Sequence, residues 1–386
     1  MADGTAAGAA IHGTCAVGFE PVRAAFAENF ALRGEVGASV SVVRNGKVVV
    51  DLWGGFADAA RARPWTRDTL ANVWSTTKGM GALVCAMLVE HGQMSYEDRV
   101  SKYWPEFAAE GKGNITVGQM LSHQAGLCGP SVPTTIEEMC DHALMAERLA
   151  AQAPLWEPGS KSGYHALTVG ILVGELVRRV AGTTIGTYFG EEVARPFGID
   201  FFIGLPEAED ARVAEMIPAS RSGLPDGYTL NPSQIVALAN PTLDALVPNK
   251  RFWRAAELSS ANGQGTATAI ARVYGALADD GTIDGRRLVK PETIRAMTAA
   301  RIEGVDEVLG MPGRWAAGYL LNGGGLFGPN DESFGHSGWG GSFGMADPAT
   351  GLAISYVMNQ MGAELAGDAR ANAIITASYA ALESLR

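Results

Sequence analysis

Residues 74–92 read Trp74-Ser75-Thr76-Thr77-Lys78 followed by GMGALVCAMLVEHG. The second part is apolar over a length that suits a helix, with Leu83, Met87 and Leu88 at helical spacing. Ser75 is therefore predicted at a helix N-terminus, and Lys78, three residues on, shares its face. A serine hydroxyl is a poor nucleophile until a neighbouring base takes its proton, and a lysine at this spacing lies within reach. With 20 serines and seven lysines in the chain, about 0.4 such pairs would arise by chance, so the pair gains weight only from its setting. That setting is an apolar helix start, where water is excluded and burial lowers a lysine pKa towards that of a usable base. The competing reading is a Ser/Thr helix cap followed by a lysine that lays its stem on apolar surface and keeps its charge in water.

Upstream, helical spacing of Val22, Phe26, Phe30 and Leu32 predicts a helix over 19–32. Val40, Val42 and Val43 then lead into the Asn45-Gly46 pair and Val48 to Leu52 lead out, the pattern of a tight hairpin. From about Ser95 to Ala261 short helical patterns alternate with Pro/Gly-punctuated loops, which predicts a helical lobe. Helices are expected over 167–180, 266–277, 288–297 (opened by Pro291) and 369–385. Strand patterns return in AAGYLLNGG (316–324), SFGHSGWGGSFGMAD (333–347) and GLAISYVMNQM (351–361), the last two joined by the turn Asp347 to Gly351. Strands at both ends with helices between imply an α/β (α+β) fold: one antiparallel sheet flanked by helices, with a mostly helical lobe inserted. The expected division is residues 1–88 plus 266–386 for the sheet domain and 89–265 for the helical domain.

Two further segments carry side chains suited to acyl transfer. At 156–165 a turn-rich stretch, WEPGSKSGYH, delivers Tyr164 just before an apolar helix. Loop tyrosines at such junctions often only pack; a phenol beside an ammonium, however, would have its pKa lowered and could serve as base and then as acid. At 335–344 GHSGWGGSFG is expected to be extended, glycine-rich backbone that lets a substrate approach closely and offers N–H groups to an oxyanion. A twisted or bulged strand accounts for the same glycines. Within this stretch Gly340-Gly341-Ser342-Phe343-Gly344 also satisfies the G-x-S-x-G pattern, but that nucleophile elbow needs a strand turning directly into a helix, and here another strand follows.

Taken in order, Ser75-Thr76-Thr77-Lys78, Leu121-Ser122-His123-Gln124-Ala125-Gly126-Leu127, Tyr164 after Pro158-Gly159, and His336-Ser337-Gly338 resemble the motifs of the serine β-lactamase, DD-peptidase and penicillin-binding family. The resemblance spans roughly residues 20–380 and is closest to the class C-like branch that includes the family VIII carboxylesterases. It implies Ser75 as nucleophile, Lys78 and Tyr164 sharing the base's work, and Tyr164 protonating the leaving group. It also implies an oxyanion hole from the Ser75 and Trp339 N–H groups, a substrate strand over His336, Ser337, Gly338, Trp339 and Gly340, and a structural role for His123. Two departures stand out: Tyr164-His165-Ala166 replaces the frequent Tyr-x-Asn, and His336 replaces a strand lysine that would hold a substrate carboxylate. Both favour neutral esters over β-lactams or peptides. The expected function is therefore hydrolysis of short-chain carboxylic esters through an acyl-Ser75 intermediate. A β-lactamase, DD-peptidase-like amidase or acyltransferase on the same scaffold, or a sensor that acylates once, are the alternatives.

Composition narrows the partners. A net charge of -11 and a pI near 5.1 oppose nucleic-acid and anionic-membrane binding, which reward clustered lysine and arginine. No run of about 18 apolar residues is present. The first residues lack the basic region and apolar core of a secretory signal, so the expected address is cytoplasmic. Cys15, Cys85, Cys128 and Cys140 have no CxxC spacing and are read as free thiols. The six histidines show no metal-ligand spacing, so neither metal nor cofactor is expected. A small-molecule ester is the one partner this reading requires.

Overall fold

The valine-rich stretches around Asn45-Gly46 form the expected hairpin in the computed structural model, which describes residues 9–220 and 227–385. Three strands open the chain: β1 (Ile11–Cys15), β2 (Gly37–Arg44) and β3 (Lys47–Gly55). Between β2 and β3, Asn45 and Gly46 have φ of 46° and 71°, the left-handed pair that a two-residue turn of this hand requires. Six more strands come from the far end of the chain: β4 (Ile302–Val305), β5 (Pro312–Trp315), β6 (Leu320–Leu321), β7 (Phe334–Ser337), β8 (Phe343–Asp347) and β9 (Leu352–Met358). Together they make one nine-stranded sheet in the order β1-β3-β2-β9-β8-β7-β6-β5-β4, with every neighbouring pair antiparallel. The two halves are joined where β9 pairs with β2.

Both faces of the sheet are covered. The main helices are α1 (Glu20–Leu32), α2 (Thr77–Glu90), α3 (Thr168–Ala181), α4 (Ala267–Leu277), α5 (Pro291–Thr298) and α6 (Ala369–Ser384). On one face α1 packs against α6, and Phe26 meets Tyr356 of β9 edge-on, 6.2 Å between ring centroids. On the other face α4 lies against β2, β8 and β9. It comes unusually close, because a Cβ on Gly344 would stand 2.6 Å from Ile270 Cγ2 and one on Gly275 2.5 Å from Val43 Cγ1. Strands covered on both sides read as continuous apolar runs, and every residue of β9 is buried. Helix α2 is buried from Thr77 to Leu88, packed between α3 and α5, which explains why its sequence is apolar all round.

The intervening chain is mostly short helices and turns, as expected, but it also contributes to a small three-stranded sheet: Phe201–Phe202 and Gln264–Gly265 with Ala71–Asn72. Two-residue strands carry no periodic signal. Other departures have equally local causes. β4 (IEGV) and β5 (PGRW) lack apolar alternation because they form the exposed end of the sheet. The strand expected over 316–324 shortens to Leu320–Leu321, since Ala316 to Gly318 form a turn with Gly318 at φ 87°. The glycine-rich stretch 335–344 is not extended throughout: β7 and β8 are separated by a turn over Gly338–Ser342, with Gly340 and Gly341 at φ 91° and 123°. Among the described residues no helix is long and apolar enough to cross a membrane.

Candidate active site

A left-handed residue aims Ser75. Trp74 has φ 46°, a conformation that costs a side-chain-bearing residue roughly 1–2 kcal/mol. Packing holds it there: its buried ring lies against Trp253 and Trp339 at 5.7 and 5.0 Å between centroids, and its carbonyl accepts from Thr77 Oγ1. The chain then makes a single tight turn, Trp74–Thr76, before α2 begins at Thr77. Ser75 thus stands at the start of a helix, as its position in the sequence predicts.

Lys78 and Tyr164 both reach Ser75. Lys78 Nζ is 2.9 Å from Ser75 Oγ and 2.8 Å from each of two main-chain carbonyls, Ala166 O and Ser260 O. The Tyr164 hydroxyl donates to Ser75 Oγ at 2.7 Å, and its ring lies 4.7 Å from Nζ. Burial alone holds the Lys78 ammonium well below its usual value. A neutral amine has two N–H bonds and one lone pair. In that form the carbonyls, which can only accept, would take the two N–H groups and leave the lone pair for the Ser75 proton. For Tyr164 the expectation of a lowered pKa is corrected: burial raises the phenol above its ordinary value, more than the Ser75 hydrogen bond lowers it. The negative charge of Asp306 raises it further.

Tyr164 is placed by groups on both sides. The Gly163 N–H donates to His123 O at 3.0 Å and the His165 N–H to His123 Nδ1 at 3.2 Å. His123, itself at φ 63°, therefore grips the segment on either side of the tyrosine. The Tyr164 N–H donates to Asp306 Oδ1 at 2.8 Å. The same buried carboxylate accepts from the Val308 and Leu309 N–H groups and from Trp315 Nε1, and the Trp315 ring stacks on Tyr164 at 5.7 Å. His165 is neutral, pushed down to about 4 by burial. It bridges Gly163 O and the Leu127 N–H. Asp306, Ala166 and Ser260 carry no signal in the sequence: two of them act through main-chain oxygens, which any residue supplies, and Asp306 lies 142 positions from its partner.

The turn between β7 and β8 faces Ser75 from the other side. Gly338 must be glycine, since a Cβ there would lie 2.2 Å from Ser342 Oγ and 2.3 Å from Val73 O. Among the described residues neither the Ser75 N–H nor the Trp339 N–H has an acceptor. Ser342 is buried and donates to Val73 O at 2.8 Å; it pins β8 to the Ser75 turn and is followed by strand, not helix. His336 is also buried, with Nδ1 on Ser337 O at 2.8 Å, and burial pushes it down to about 3, so it is neutral. Ser337 lies beside it at the end of β7, half-buried. Gly340 holds the middle of the turn.

Residues 22–377 match the Beta-lactamase family. The chain belongs to the beta-lactamase family. Within it, the chain is 38% identical over 376 residues to the Esterase/beta-lactamase LipL of Mycobacterium tuberculosis, spanning 93% of this chain and 85% of LipL. A solved family VIII carboxylesterase superposes with a TM-score of 0.92 at 48% identity, covering 96% of this chain and 100% of that one. A penicillin-binding protein homolog from Caulobacter crescentus superposes at 0.89 with 44% identity, covering 96% and 100%. The beta-lactamase-like fold expected from the motifs, an antiparallel sheet with helices on both faces, is the fold of the molecule.

Proposed function

We propose that this chain is a serine carboxylesterase that works through an acyl-Ser75 intermediate. One observation carries the reading: Ser75 Oγ is held at once by Lys78 Nζ and the Tyr164 hydroxyl, with burial holding the lysine pKa well below its usual value. In acylation the Ser75 proton passes to the Lys78 lone pair as Oγ bonds to the acyl carbon. The oxyanion that forms is held by the Ser75 and Trp339 N–H groups, each worth about 3 kcal/mol in such sites. As the tetrahedral intermediate collapses, the alcohol leaves with the Tyr164 proton, and Lys78 returns one to Tyr164. Lys78, now an amine again, takes a proton from water as it attacks the acyl group, and Ser75 leaves with a proton from the same pair. The carbonyls of Ala166 and Ser260 accept from Lys78 in either protonation state, so little rearranges as the proton moves.

The substrate class follows from the neutrality of His336. With no cation in place of the strand lysine, short neutral esters bind without an unpaired carboxylate, and acid-bearing substrates find no partner there. We assign specificity to the helical lobe, residues 89–265, above the sheet domain of 1–88 and 266–386. Within that lobe Phe201 and Trp253 are buried in its packing. Of the cysteines, Cys15, Cys85, Cys128 and Cys140 are all free, which suits the reducing cytoplasm we take as its location. The name of LipL favours a second reading, β-lactam hydrolysis by the same serine. A burst titration and steady-state assay with p-nitrophenyl butyrate alongside nitrocefin separates them. Sustained ester turnover exceeding that of nitrocefin is expected; a burst without turnover, or faster nitrocefin hydrolysis, overturns the reading.

A further inference from the structure

Beneath the β7–β8 turn lies a buried ion network that the proposed chemistry does not use. Arg370, in the first turn of α6, spends all five of its N–H groups. Nε and Nη2 hold the two Asp368 oxygens at 3.0 and 2.9 Å. Nη1 meets Glu35 Oε2 at 2.9 Å and Gln360 O at 2.7 Å, and the second Nη2 hydrogen reaches Gly340 O at 2.8 Å. The Tyr356 hydroxyl also donates to Glu35. Arg370, Glu35 and Asp368 are all buried. Burying three charged groups rarely adds stability over an apolar core of the same volume, so their presence asks for a structural purpose.

The purpose is visible in what the guanidinium holds. Gly340 and Gly341, at φ 91° and 123°, occupy backbone that glycine alone adopts readily, and glycine is the residue with most freedom to leave it. Trp339 sits directly before this pair. Its N–H keeps one position only if the turn is clamped from outside. On the β7 side Gly338 is fixed by its N–H to Ser342 O at 2.7 Å. On the other side Gly340 donates to Glu364 O, and its carbonyl takes Arg370 Nη2 together with the Gly362 N–H. We propose that Arg370, braced by Asp368 and Glu35, is a positioning residue for the oxyanion hole: it fixes the glycine turn so that the Trp339 N–H stays aimed at the developing charge. This rests on the reading of Trp339 as an oxyanion donor.

The test compares an oxoester with its thionoester, whose sulfur is a poor hydrogen-bond acceptor. The wild-type enzyme should favour the oxoester strongly. Losing an oxyanion donor outright costs roughly 10²–10³ in kcat, so Arg370→Lys, which keeps the charge but loses the fork, should lower oxoester kcat by about ten- to hundred-fold. KM should change little, and the oxo/thiono preference should shrink by the same factor as kcat. If Arg370→Lys does not fold, Asp368→Asn takes its place, since it keeps the cap of α6 while loosening the guanidinium; a loss of about three- to ten-fold with a matching fall in preference is expected. A variant that loses thermal stability but keeps the wild-type preference makes Arg370 merely structural and overturns the proposal while leaving the oxyanion reading intact. A wild-type enzyme that turns over both esters equally removes Trp339 from its role and overturns both.

Discussion

The Tyr164 hydroxyl donates to Ser75 Oγ at 2.7 Å, which leaves the Ser75 proton free to point at Lys78 Nζ, 2.9 Å away. Once Lys78 is a neutral amine, the serine is an acceptor towards one partner and a donor towards the other. In the proposed mechanism this polarity makes Lys78 the base that starts the reaction and Tyr164 the acid that ends its first half.

A pH–rate profile reports that polarity. Lys78 must be unprotonated, so kcat/KM rises with pH through the Lys78 pKa, which burial places well below 10.5. Tyr164 must be protonated, so activity falls only above the phenol pKa, which burial raises beyond 10.0. We expect a plateau that begins well below pH 10.5 and runs to the alkaline limit of enzyme stability. A descending limb near pH 8 in kcat/KM would instead mean an acidic Tyr164 and would reverse the assignment of base and acid.

Asp306 tests the placement of Tyr164. Its carboxylate accepts four N–H groups, including the Tyr164 main chain and Trp315 Nε1. Asp306→Asn puts a donor against one of these donors, which should lower stability by on the order of 3 kcal/mol and kcat by about ten-fold, as expected of a misplaced catalytic group. Differential scanning calorimetry and kcat with p-nitrophenyl butyrate measure both. Unchanged kcat in a destabilised variant would show that the tyrosine is held without Asp306.

What the sequence revealed, and what it hid, follows from the range of each interaction. Ser75 and Lys78 were legible because helical geometry relates residues three apart, and the Asn45-Gly46 hairpin because turn chemistry is local. Tyr164 and the His336-Ser337-Gly338 strand became legible only through the order of several motifs taken together. Asp306 was hidden because a single aspartate 142 positions from Tyr164 resembles any surface carboxylate. Arg370 and Glu35 were hidden for the same reason: in a strand or helix pattern a charged residue reads as solvated, whereas here 335 positions of chain separate two buried partners. The phenol's raised pKa was hidden because it follows from its own burial and from the distant Asp306, neither of which a local stretch of sequence displays.

The histidines around the site should make the protein acid-sensitive. His165 and His336 are held at about 4 and about 3 in the folded state, against 6.5 in the ordinary case, because burial penalises the imidazolium. Between these values the unfolded chain binds more protons than the folded one. Their contribution is therefore full above pH 6.5 and is lost as the pH falls towards the folded values, on the order of 3 kcal/mol for His165 and about 5 kcal/mol for His336. Unfolding free energy from urea titrations should drop between pH 6.5 and 5, and His336→Gln should remove about one proton from that slope. An unchanged slope in the variant would place a charged, solvated imidazole at 336.

The most direct measurement is the site of covalent capture. After reaction with a fluorophosphonate, intact-mass and peptide mass spectrometry should find one adduct per chain, on Ser75, and Ser75→Ala should take up no label and lose ester hydrolysis, while Ser342→Ala still labels. An adduct on Ser342, or stoichiometric labelling and retained esterase activity in Ser75→Ala, would contradict the account at its root.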